Sequence, residues 1–347
     1  MKILEQLRKS EILRPSVLLT IGTLIFIALA KYAPSRIGII VIISCLAAFA
    51  FGEKYGLKFK PKLKINKKVL RTTSGIIFLI ALVALYFDFY SAGGIPLLNS
   101  TTRRFLHPIL TSLAFLMVPA NAVLVSTLSK EKRAKLQTGF LILFTAGIMA
   151  LLGYRTEVLA AIISGVLVAY YCEIFEFKEI ASFGIAAIIA FVGITVLRGG
   201  GLINYRSATT LGAFDFLVEK AGTLGLTHGS VQFADIMKIF SDLPVIGGRH
   251  LVGNIIGSRA GVSITSTLFG PPFIDFGILA LLEFGILGLI AGAGYIAAKT
   301  KKGLYAASHS IVLTFLLLGI ETGITDLIIW IYIILAGGFF AYSHLKK

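Results

Sequence analysis

Ten apolar runs, each close to the length that crosses a lipid bilayer, follow one another along this chain of 347 residues. They cover residues 17–33, 37–51, 74–90, 108–128, 136–152, 158–175, 180–197, 273–298, 304–320 and 327–343. The connections between them are short and polar, apart from one long segment over residues 198–272. We therefore predict an all-α, polytopic membrane bundle of about ten transmembrane helices. In this prediction residues 1–347 form one transmembrane domain, and residues 198–272 form an external loop subdomain between spans seven and eight.

The composition agrees with a membrane protein and excludes a soluble globule. Hydrophobic residues make up 56% of the chain and charged residues only 14%, whereas a soluble domain has about 25% charged residues. The mean hydropathy of +0.89 also excludes a disordered chain. The formal net charge is nevertheless +16, which would indicate a nucleic-acid partner if the positive residues lay on one soluble surface.

The positions of the positive residues predict the topology. Ten spans place both termini on one side, and the connections on that side carry 22 of the 33 lysines and arginines. By the positive-inside rule this side is cytoplasmic, so we expect a multi-pass plasma-membrane protein with both termini in the cytoplasm. The eight positive residues from Lys54 to Arg71 then act as a topology signal with affinity for anionic head groups, and no nucleic-acid partner is expected.

Lysine and arginine divide unequally between the two sides. On this topology 18 of the 21 lysines are cytoplasmic, whereas eight of the 12 arginines are external. The eight are Arg36, Arg103, Arg104, Arg155, Arg198, Arg206, Arg249 and Arg259. Because a guanidinium group binds phosphate or carboxylate through paired hydrogen bonds, this bias predicts an anion-binding outer face. The alternative is structural ion pairing with Asp215, Glu219, Asp235 and Asp242 of the long segment.

Three external segments hold the polar residues of interest. The first, residues 91–104, contains a Gly-Gly pair and a proline ahead of two arginines. The second is the turn over residues 153–157, where Arg155 and Glu157 lie near the membrane surface and either mark a substrate path or pair with each other. The third is residues 198–272, which is too long for a structureless loop and contains two amphipathic stretches.

Acidic residues also occur in or near the spans. Asp88, Asp275, Glu321 and Asp326 lie at the external ends of the predicted helices. Glu283 lies deeper in span eight, where it is either a hydrogen-bond anchor of the bundle or a group of the kind that transporters use.

The sequence lacks the common motifs for metal and nucleotide chemistry. It contains no P-loop, no His-Glu-x-x-His pattern, no spaced Cys/His ligands and no Asp-x-Asp pair. This argues against a nucleotide-sugar donor held by a metal, so we expect neither a metal nor a cofactor. Among the five histidines, His250 is the strongest candidate for chemistry because it follows Arg249 and a Gly-Gly turn.

Four features together resemble one known family. They are the Gly-Gly-Ile-Pro-Leu-Leu turn after span three, the Gly-Tyr-Arg-Thr-Glu turn between spans five and six, the large arginine-rich external loop, and the Phe-Gly repeats of residues 267–288. Over roughly residues 75–300 the chain resembles the O-antigen polymerase family, and most of all its archaeal members, which are also described as oligosaccharide repeat unit polymerases.

The resemblance implies a C-type glycosyltransferase fold, all helical, with its active site facing outside. It implies transfer of a glycan from a polyprenyl diphosphate carrier, dolichol-linked in an archaeon, to the sugar end of a second lipid-linked unit. The resemblance implies that loop arginines are functional, as they are in the bacterial members. One description of such an arginine is an Arg followed by ten residues and then a Gly. Arg259 and Gly270 fit that spacing here.

The physical mechanism assigns roles to the external residues. A departing diphosphate gains negative charge, which guanidinium groups fixed near the membrane surface stabilise without a metal. The predicted diphosphate- and substrate-binding residues are Arg155, Arg198, Arg206, Arg249, Arg259, Arg103, Arg104 and Tyr205. The acceptor hydroxyl needs a base or an orienting acceptor, for which His250 is the first candidate, followed by Glu157 and Asp275. The expected partners are the lipid-linked donor and acceptor and the bilayer, and the oligomeric state is not predicted.

Three other functions stay open at this point. A ligase that moves a finished glycan to a different acceptor shares the fold and the donor. A transporter or flippase predicts charged groups near the midplane and internal repeats with broken helices. A receptor or scaffold would leave the external arginines without a common cleft.

Overall fold

The computed structural model describes residues 11–99, 101–129, 131–197, 203–223, 225–234, 236–237, 246–259 and 262–346. Within these ranges the chain is helical, as predicted. The α-helices are α1 Pro15–Ala30, α2 Arg36–Gly56, α3 Lys67–Ser91, α4 Pro108–Phe115, α5 Met117–Ser126, α6 Ala134–Leu151, α7 Arg155–Tyr171, α8 Phe177–Leu197, α9 Ile203–Ala221, α10 Gly248–Ile255, α11 Gly270–Phe276, α12 Ala280–Lys301, α13 Leu304–Thr322 and α14 Leu327–Leu345. Short 3-10 helices cover Glu11–Leu13, Thr102–Phe105 and Gly277–Leu279.

The ten predicted apolar runs all fall on helices, and the all-α membrane bundle is confirmed. In the described residues seven segments are long and apolar enough to cross a membrane: α2, α3, α4 with α5, α6, α11 with α12, α13 and α14. Helix α1 is apolar but has 16 residues. The full count of ten membrane crossings and the C-type glycosyltransferase fold therefore stay predictions.

The helix ends fall into two groups. One group, called here the arginine end, comprises residues 31–35, 92–99, 101–107, 152–154 and 323–326 together with helices α9 and α10. The other group, called here the lysine end, comprises residues 57–66, 127–129, 131–133, 172–176 and 302–303. Contacts join the members of each group, such as the Leu97 amide to the Leu151 carbonyl (3.0 Å) at the arginine end and Lys302 to Glu173 (2.6 Å) at the lysine end. The helices from α1 to α8 and from α12 to α14 run alternately between the two ends.

Helices α2 and α12 pack most extensively against each other, and they do so through glycine. Gly52 and Gly56 lie four residues apart on α2, and Gly288 and Gly292 lie four residues apart on α12. A Cβ on Gly288 would overlap the carbonyl oxygen of Phe49, and a Cβ on Gly292 would press into the α2 backbone. Small residues at this spacing allow two helix backbones to touch, which is how helices associate in a lipid environment that supplies no hydrophobic driving force.

Buried carboxylates cap the starts of helices elsewhere in the chain. Glu53 on α2 is inaccessible to solvent and accepts a hydrogen bond from the amide of Ser16 in the first turn of α1 (3.0 Å). Asp88 on α3 is equally buried and accepts from the amide of His107 (2.7 Å) and the hydroxyl of Thr111 (2.6 Å) at the start of α4. The first amides of a helix have no partner within it and carry partial positive charge, so these carboxylates are stabilised there.

Helix α9 belongs to the long predicted loop and packs on α1, α2 and α11. Its Asp215 accepts hydrogen bonds from the amide (2.8 Å) and hydroxyl (3.0 Å) of Ser35, which is the N-cap of α2, and from the hydroxyl of Tyr32 (3.0 Å). Burial raises the pKa of the Tyr32 hydroxyl, and its hydrogen bond to Asp215 raises that pKa further. The described part of the long segment is thus anchored to the first two helices.

The fourth predicted span is broken in the middle. Helix α4 ends at Phe115 and α5 begins at Met117. Pro119 has no N–H group to donate to the Phe115 carbonyl one turn earlier, so the helical ladder is interrupted there. The hydroxyl of Tyr332 on α14 donates a hydrogen bond to that carbonyl (3.4 Å). A neighbouring helix therefore supplies the bond that the proline removes.

Helix α13 is the axis of the bundle. It is the most buried of the seven candidate spans, with 72% of its apolar window inside the protein, and it packs against α1, α5, α7 and α12. His309 in its middle is fully buried, and its Nε2 atom lies 3.2 Å from the hydroxyl of Tyr171. Because α13 starts at the lysine end and finishes at the arginine end, its side chains contribute to both.

The glycine contact between α2 and α12 yields a stability prediction. Gly288→Ala should lower the Tm of the detergent-solubilised protein, because the added methyl group overlaps the Phe49 carbonyl and overpacking costs about 1–3 kcal/mol. The matched control is Gly147→Ala on α6, where a Cβ meets no heavy atom within 4 Å. This control should leave the Tm unchanged or raise it. Equal Tm values for the two variants would contradict the tight backbone contact.

Candidate active site

A cleft of about 460 Å³ opens at the arginine end. Three of the predicted arginines line it, although they come from separate parts of the chain: Arg155 from α7, Arg206 from α9 and Arg249 from α10. We call this feature the arginine cleft. The other lining residues are Tyr154, Thr156, Thr209, Thr210 and residues 262–265. A cleft lined by three guanidinium groups has the positive charge and the hydrogen-bond donors that an anion requires.

Local hydrogen bonds fix the walls of the cleft. The hydroxyls of Thr210 on α9 and Thr265 are 2.9 Å apart, and the amide of Ile264 donates to the Arg249 carbonyl (3.0 Å). These two bonds tie the segment 262–265 to both α9 and α10. The first turn of α7 forms another part of the wall, and its N-cap residue Tyr154 supplies no side-chain cap. The partial positive charge of that helix start adds to the charge of the arginines.

Glu321, near the end of α13, lies between two of the arginines. Its Oε1 atom is 2.5 Å from Nε of Arg206 and 4.0 Å from a terminal nitrogen of Arg155. The Arg155 side chain is only 8% exposed, whereas that of Arg206 is 44% exposed. A guanidinium group has five N–H donors, so one carboxylate leaves donors for a further anion. Glu321 therefore orients Arg206 and offsets part of the charge without filling the cleft.

The third arginine has a carboxylate partner of its own. A terminal nitrogen of Arg249 lies 2.5 Å from an oxygen of Asp326, and its Nε donates to the Thr325 hydroxyl (3.3 Å). Glu157, in the first turn of α7, is close enough to Asp326 and Arg249 to interact electrostatically with both. Glu157 thus has an arginine of the cleft among its electrostatic neighbours, although its own side chain does not line the cleft.

The other two candidate bases have different surroundings. Asp275 is fully buried, and its carboxylate accepts hydrogen bonds from the hydroxyl of Thr227 (2.5 Å) and the amides of Val231 (3.0 Å) and Gln232 (2.8 Å). These donors hold the segment 225–232 against α11. His250 is exposed on α10 and does not line the cleft, although it adjoins Arg249 in sequence.

The remaining predicted binding residues are not brought into the cleft by the described structure. Arg259 and Tyr205 are exposed and do not line it. Arg103 and Arg104 fall in the 3-10 helix Thr102–Phe105, and the positions of their side chains lie outside what the structure describes. Arg198 lies outside the described residues altogether. The spacing from Arg259 to Gly270 is therefore a sequence pattern without a position in the cleft.

Arg206 and Arg249 pair with carboxylates that the sequence alternative did not include. Their partners in the described chain are Glu321 and Asp326, whereas Asp215 is bound to Ser35 and Tyr32, and Asp235 and Asp242 lie outside the described residues. The sequence placed Glu321 and Asp326 at an external helix end, yet gave no sign that they meet arginines more than 70 residues away. Glu321 and Asp326 lie on either side of the turn between α13 and α14, and this closeness in sequence is the local signal that both belong to one site.

Glu283 has a structural partner. Its Oε1 atom accepts a hydrogen bond from the side-chain amide of Gln232 (2.8 Å), and the backbone amide of Gln232 is bonded to Asp275. This contact favours the interpretation of Glu283 as a hydrogen-bond anchor of the bundle over its interpretation as a group of the kind that transporters use. In the residues that the structure describes, no group of three or more His, Cys, Asp or Glu side chains is arranged to hold a metal ion.

Comparison with known proteins agrees with the family that the motifs resemble. The family model described as "Putative O-antigen polymerase" matches residues 11–333. The uncharacterized protein MJ0419 of Methanocaldococcus jannaschii is 32% identical over 281 residues, which are 79% of this chain and 77% of that protein. The uncharacterized protein MJ0420 of the same organism is 22% identical over 378 residues, and the match covers 92% of each chain. No solved structure matches the chain.

The matched region includes all three arginines of the cleft and nearly the whole bundle. The family inferred from the motifs is confirmed, and this multi-pass membrane protein belongs to the O-antigen polymerase family.

Proposed function

We propose that the protein is a glycosyltransferase that polymerises lipid-linked oligosaccharide repeat units, and that the arginine cleft binds the diphosphate of the donor. The observation that carries this proposal is the convergence of Arg155, Arg206 and Arg249 from three separate helices on one cleft. Membership of a membrane glycan-polymerising family supports the reaction class. The donor is a glycan on a polyprenyl diphosphate, which is a dolichyl diphosphate if the protein is archaeal.

The reaction needs one bond to form and one to break. A hydroxyl oxygen of the acceptor sugar attacks the anomeric carbon of the donor, and the bond from that carbon to the diphosphate oxygen breaks. The electron pair leaves with the lipid diphosphate, and the hydroxyl proton passes to a base. Charge develops on the departing oxygen, so fixed guanidinium groups stabilise the transition state more than the ground state.

The carboxylates of the cleft prepare it for this anion. Glu321 and Asp326 hold Arg206 and Arg249 in place through close ion pairs. Without these partners, guanidinium groups around one cleft would repel one another and lose their alignment. A diphosphate can use the remaining donors of each arginine, and preorganisation lowers the reorganisation required during the reaction.

Glu157 is the base that we favour. What supports it is its electrostatic coupling to Arg249, which lines the cleft, and its position in the first turn of α7, which forms part of the wall. Asp275 is less suitable because hydrogen-bond donors already occupy its carboxylate, and His250 points to solvent.

The same proposal assigns the orientation in the membrane. The lysine-rich connections face the cytoplasm by the positive-inside rule, which puts both termini inside and the arginine cleft outside. A hydrophobic donor then presents its diphosphate at the outer membrane surface, where α7 begins and α13 ends. Residues 198–272 form part of the external active-site wall through α9, α10 and residues 262–265.

Arginine-to-lysine substitutions test the clamp. Arg155→Lys and Arg206→Lys keep the positive charge but lose the paired hydrogen bonds of the guanidinium group, so we expect kcat to fall by about 10²–10³-fold. The assay incubates purified protein with lipid-linked repeat units and measures the glycan ladder. A ladder from the wild-type protein identifies a polymerase, and a single block moved to a different acceptor identifies a ligase.

Two other arginines serve as controls. Arg36→Lys and Arg259→Lys change exposed arginines of the same end that do not line the cleft, so each should leave the ladder intact. Normal chain extension by Arg155→Lys, or equal losses in all four variants, would remove the diphosphate clamp from this site.

Substitution of Glu157 tests the base. Glu157→Gln should lower kcat by about 10²-fold or more while KM for the donor changes little, because the amide cannot accept the hydroxyl proton. Asp275→Asn should instead lower the Tm, since it disturbs the hydrogen bonds that hold residues 225–232. A fall in kcat with His250→Gln and none with Glu157→Gln would transfer the role to the histidine.

Chelation tests the source of the positive charge. If three arginines stabilise the departing diphosphate, activity in the same assay should persist in excess EDTA. Loss of the ladder in EDTA, with recovery on addition of Mg²⁺ or Mn²⁺, would assign that role to a metal ion.

A further inference from the structure

We propose that the lysine end contains a binding site for an anionic phospholipid, distinct from the arginine cleft. The site has two parts. The first is a chamber lined by Lys64, Lys67, Lys301 and Lys302, called here the lysine chamber. The second is an apolar groove that begins at Leu304 and runs between α5, α13 and α14. The chamber binds the phosphate of the head group, and the groove holds one hydrocarbon chain.

The lysine chamber has a volume of about 360 Å³ and lies where three chain segments meet. These are the start of α3, the end of α5 and the turn between α12 and α13. Lys302 is paired with Glu173 (2.6 Å). Lys64, Lys67 and Lys301 make no ion pair with a carboxylate among the residues that the structure describes. Three positive charges of the chamber are therefore not offset by the protein in that part of the chain.

Lys64, Lys67 and Lys301 are exposed, so solvent weakens their mutual repulsion, and an anion between them relieves the repulsion that remains. The start of α13 lies in the same chamber, and its N-cap Gly303 has no side chain to cap the first amides. Those amides carry partial positive charge that adds to the charge of the lysines. Ser126, Thr127 and Ser129 also line the chamber. Ammonium groups with hydroxyls suit the oxygens of a phosphate.

The adjoining groove distinguishes a lipid from a soluble phosphate. It has a volume of about 230 Å³, and Leu304 lines both the groove and the chamber. Ser308 and Ile311 follow Leu304 on successive turns of α13, so the groove runs along that helix for about 10 Å. Leu335 and Phe339 on α14 form the facing wall. A soluble anion would leave this apolar surface unused, whereas a lipid fills both parts.

The position of the chamber agrees with a membrane boundary. It lies at the turn over residues 302–303, between the candidate spans Gly270–Lys301 and Leu304–Thr322, and the ends of spanning helices are where lipid head groups reside. Basic pockets between spanning helices at that level bind acidic head groups. The site is at the opposite end of the bundle from the arginine cleft, so it does not depend on the function proposed for that cleft.

The test uses the full chain in nanodiscs of phosphatidylcholine alone or with added phosphatidylglycerol. We compare Tm and the number of phosphatidylglycerol molecules retained in native mass spectrometry. In the variant Lys64→Gln/Lys67→Gln/Lys301→Gln, the affinity for phosphatidylglycerol should fall by at least about tenfold and the lipid-dependent rise in Tm should be lost. The control Lys132→Gln/Lys178→Gln/Lys346→Gln removes the same charge from exposed lysines that lie outside the stretch from Lys54 to Arg71 and do not line the chamber, and it should behave like the wild type.

A second comparison separates the head group from the chain. Ser308→Phe fills the groove and should weaken phosphatidylglycerol binding while the response to inorganic phosphate stays the same. Equal phosphatidylglycerol binding by the two triple variants would contradict a specific site in the lysine chamber, because the loss of affinity would then follow from the total charge of the protein alone. Stabilisation by inorganic phosphate equal to that by phosphatidylglycerol, or unchanged lipid binding by Ser308→Phe, would overturn the lipid as the occupant.

Discussion

A charged group that cannot reach water must find its partner inside the protein, and the ends of this bundle depend on that constraint. Glu53, Asp88 and Asp275 are fully buried, and each accepts hydrogen bonds from backbone amides of a distant segment. Asp215 does the same for the start of α2. These bonds set where one helix begins relative to another. The arginine cleft rests on them, because Asp215 anchors the helix that carries Arg206.

The charged groups of the arginine cleft also find partners inside the protein, but these groups are less buried. Its carboxylates offset some of the arginine charge, and each guanidinium group has more donors than one carboxylate can fill, so the ion pairs order the cleft without using all of its donors. The two ends of the bundle also differ in chemistry. Planar guanidinium groups at one end suit a ligand that must be oriented for reaction, whereas compact, mobile ammonium groups at the other suit a head group that only has to be held.

Much of the fold could be predicted because local hydrophobicity decides which segments are helical in a membrane, and all ten apolar runs are helices. The break at Leu116 was not predicted, since it depends on both Pro119 and a hydroxyl from α14. For the site, the arginine bias directed attention to Arg155, Arg206 and Arg249, which three separate helices bring to one cleft. It could not show which of the predicted arginines share a cleft, nor identify Glu321, because contacts between distant segments leave no local pattern in a single sequence.

The buried helix α13 connects the two ends of the bundle. Its 19 residues extend about 28 Å, from Leu304 beside the lysine chamber to Glu321 between two arginines of the cleft. Hydrogen bonds along its axis make an α-helix stiff to compression, and dense packing around α13 leaves it little room to bend. The helix therefore fixes the distance along the bundle between the lysine chamber at its first turn and the Glu321 carboxylate at its last turn.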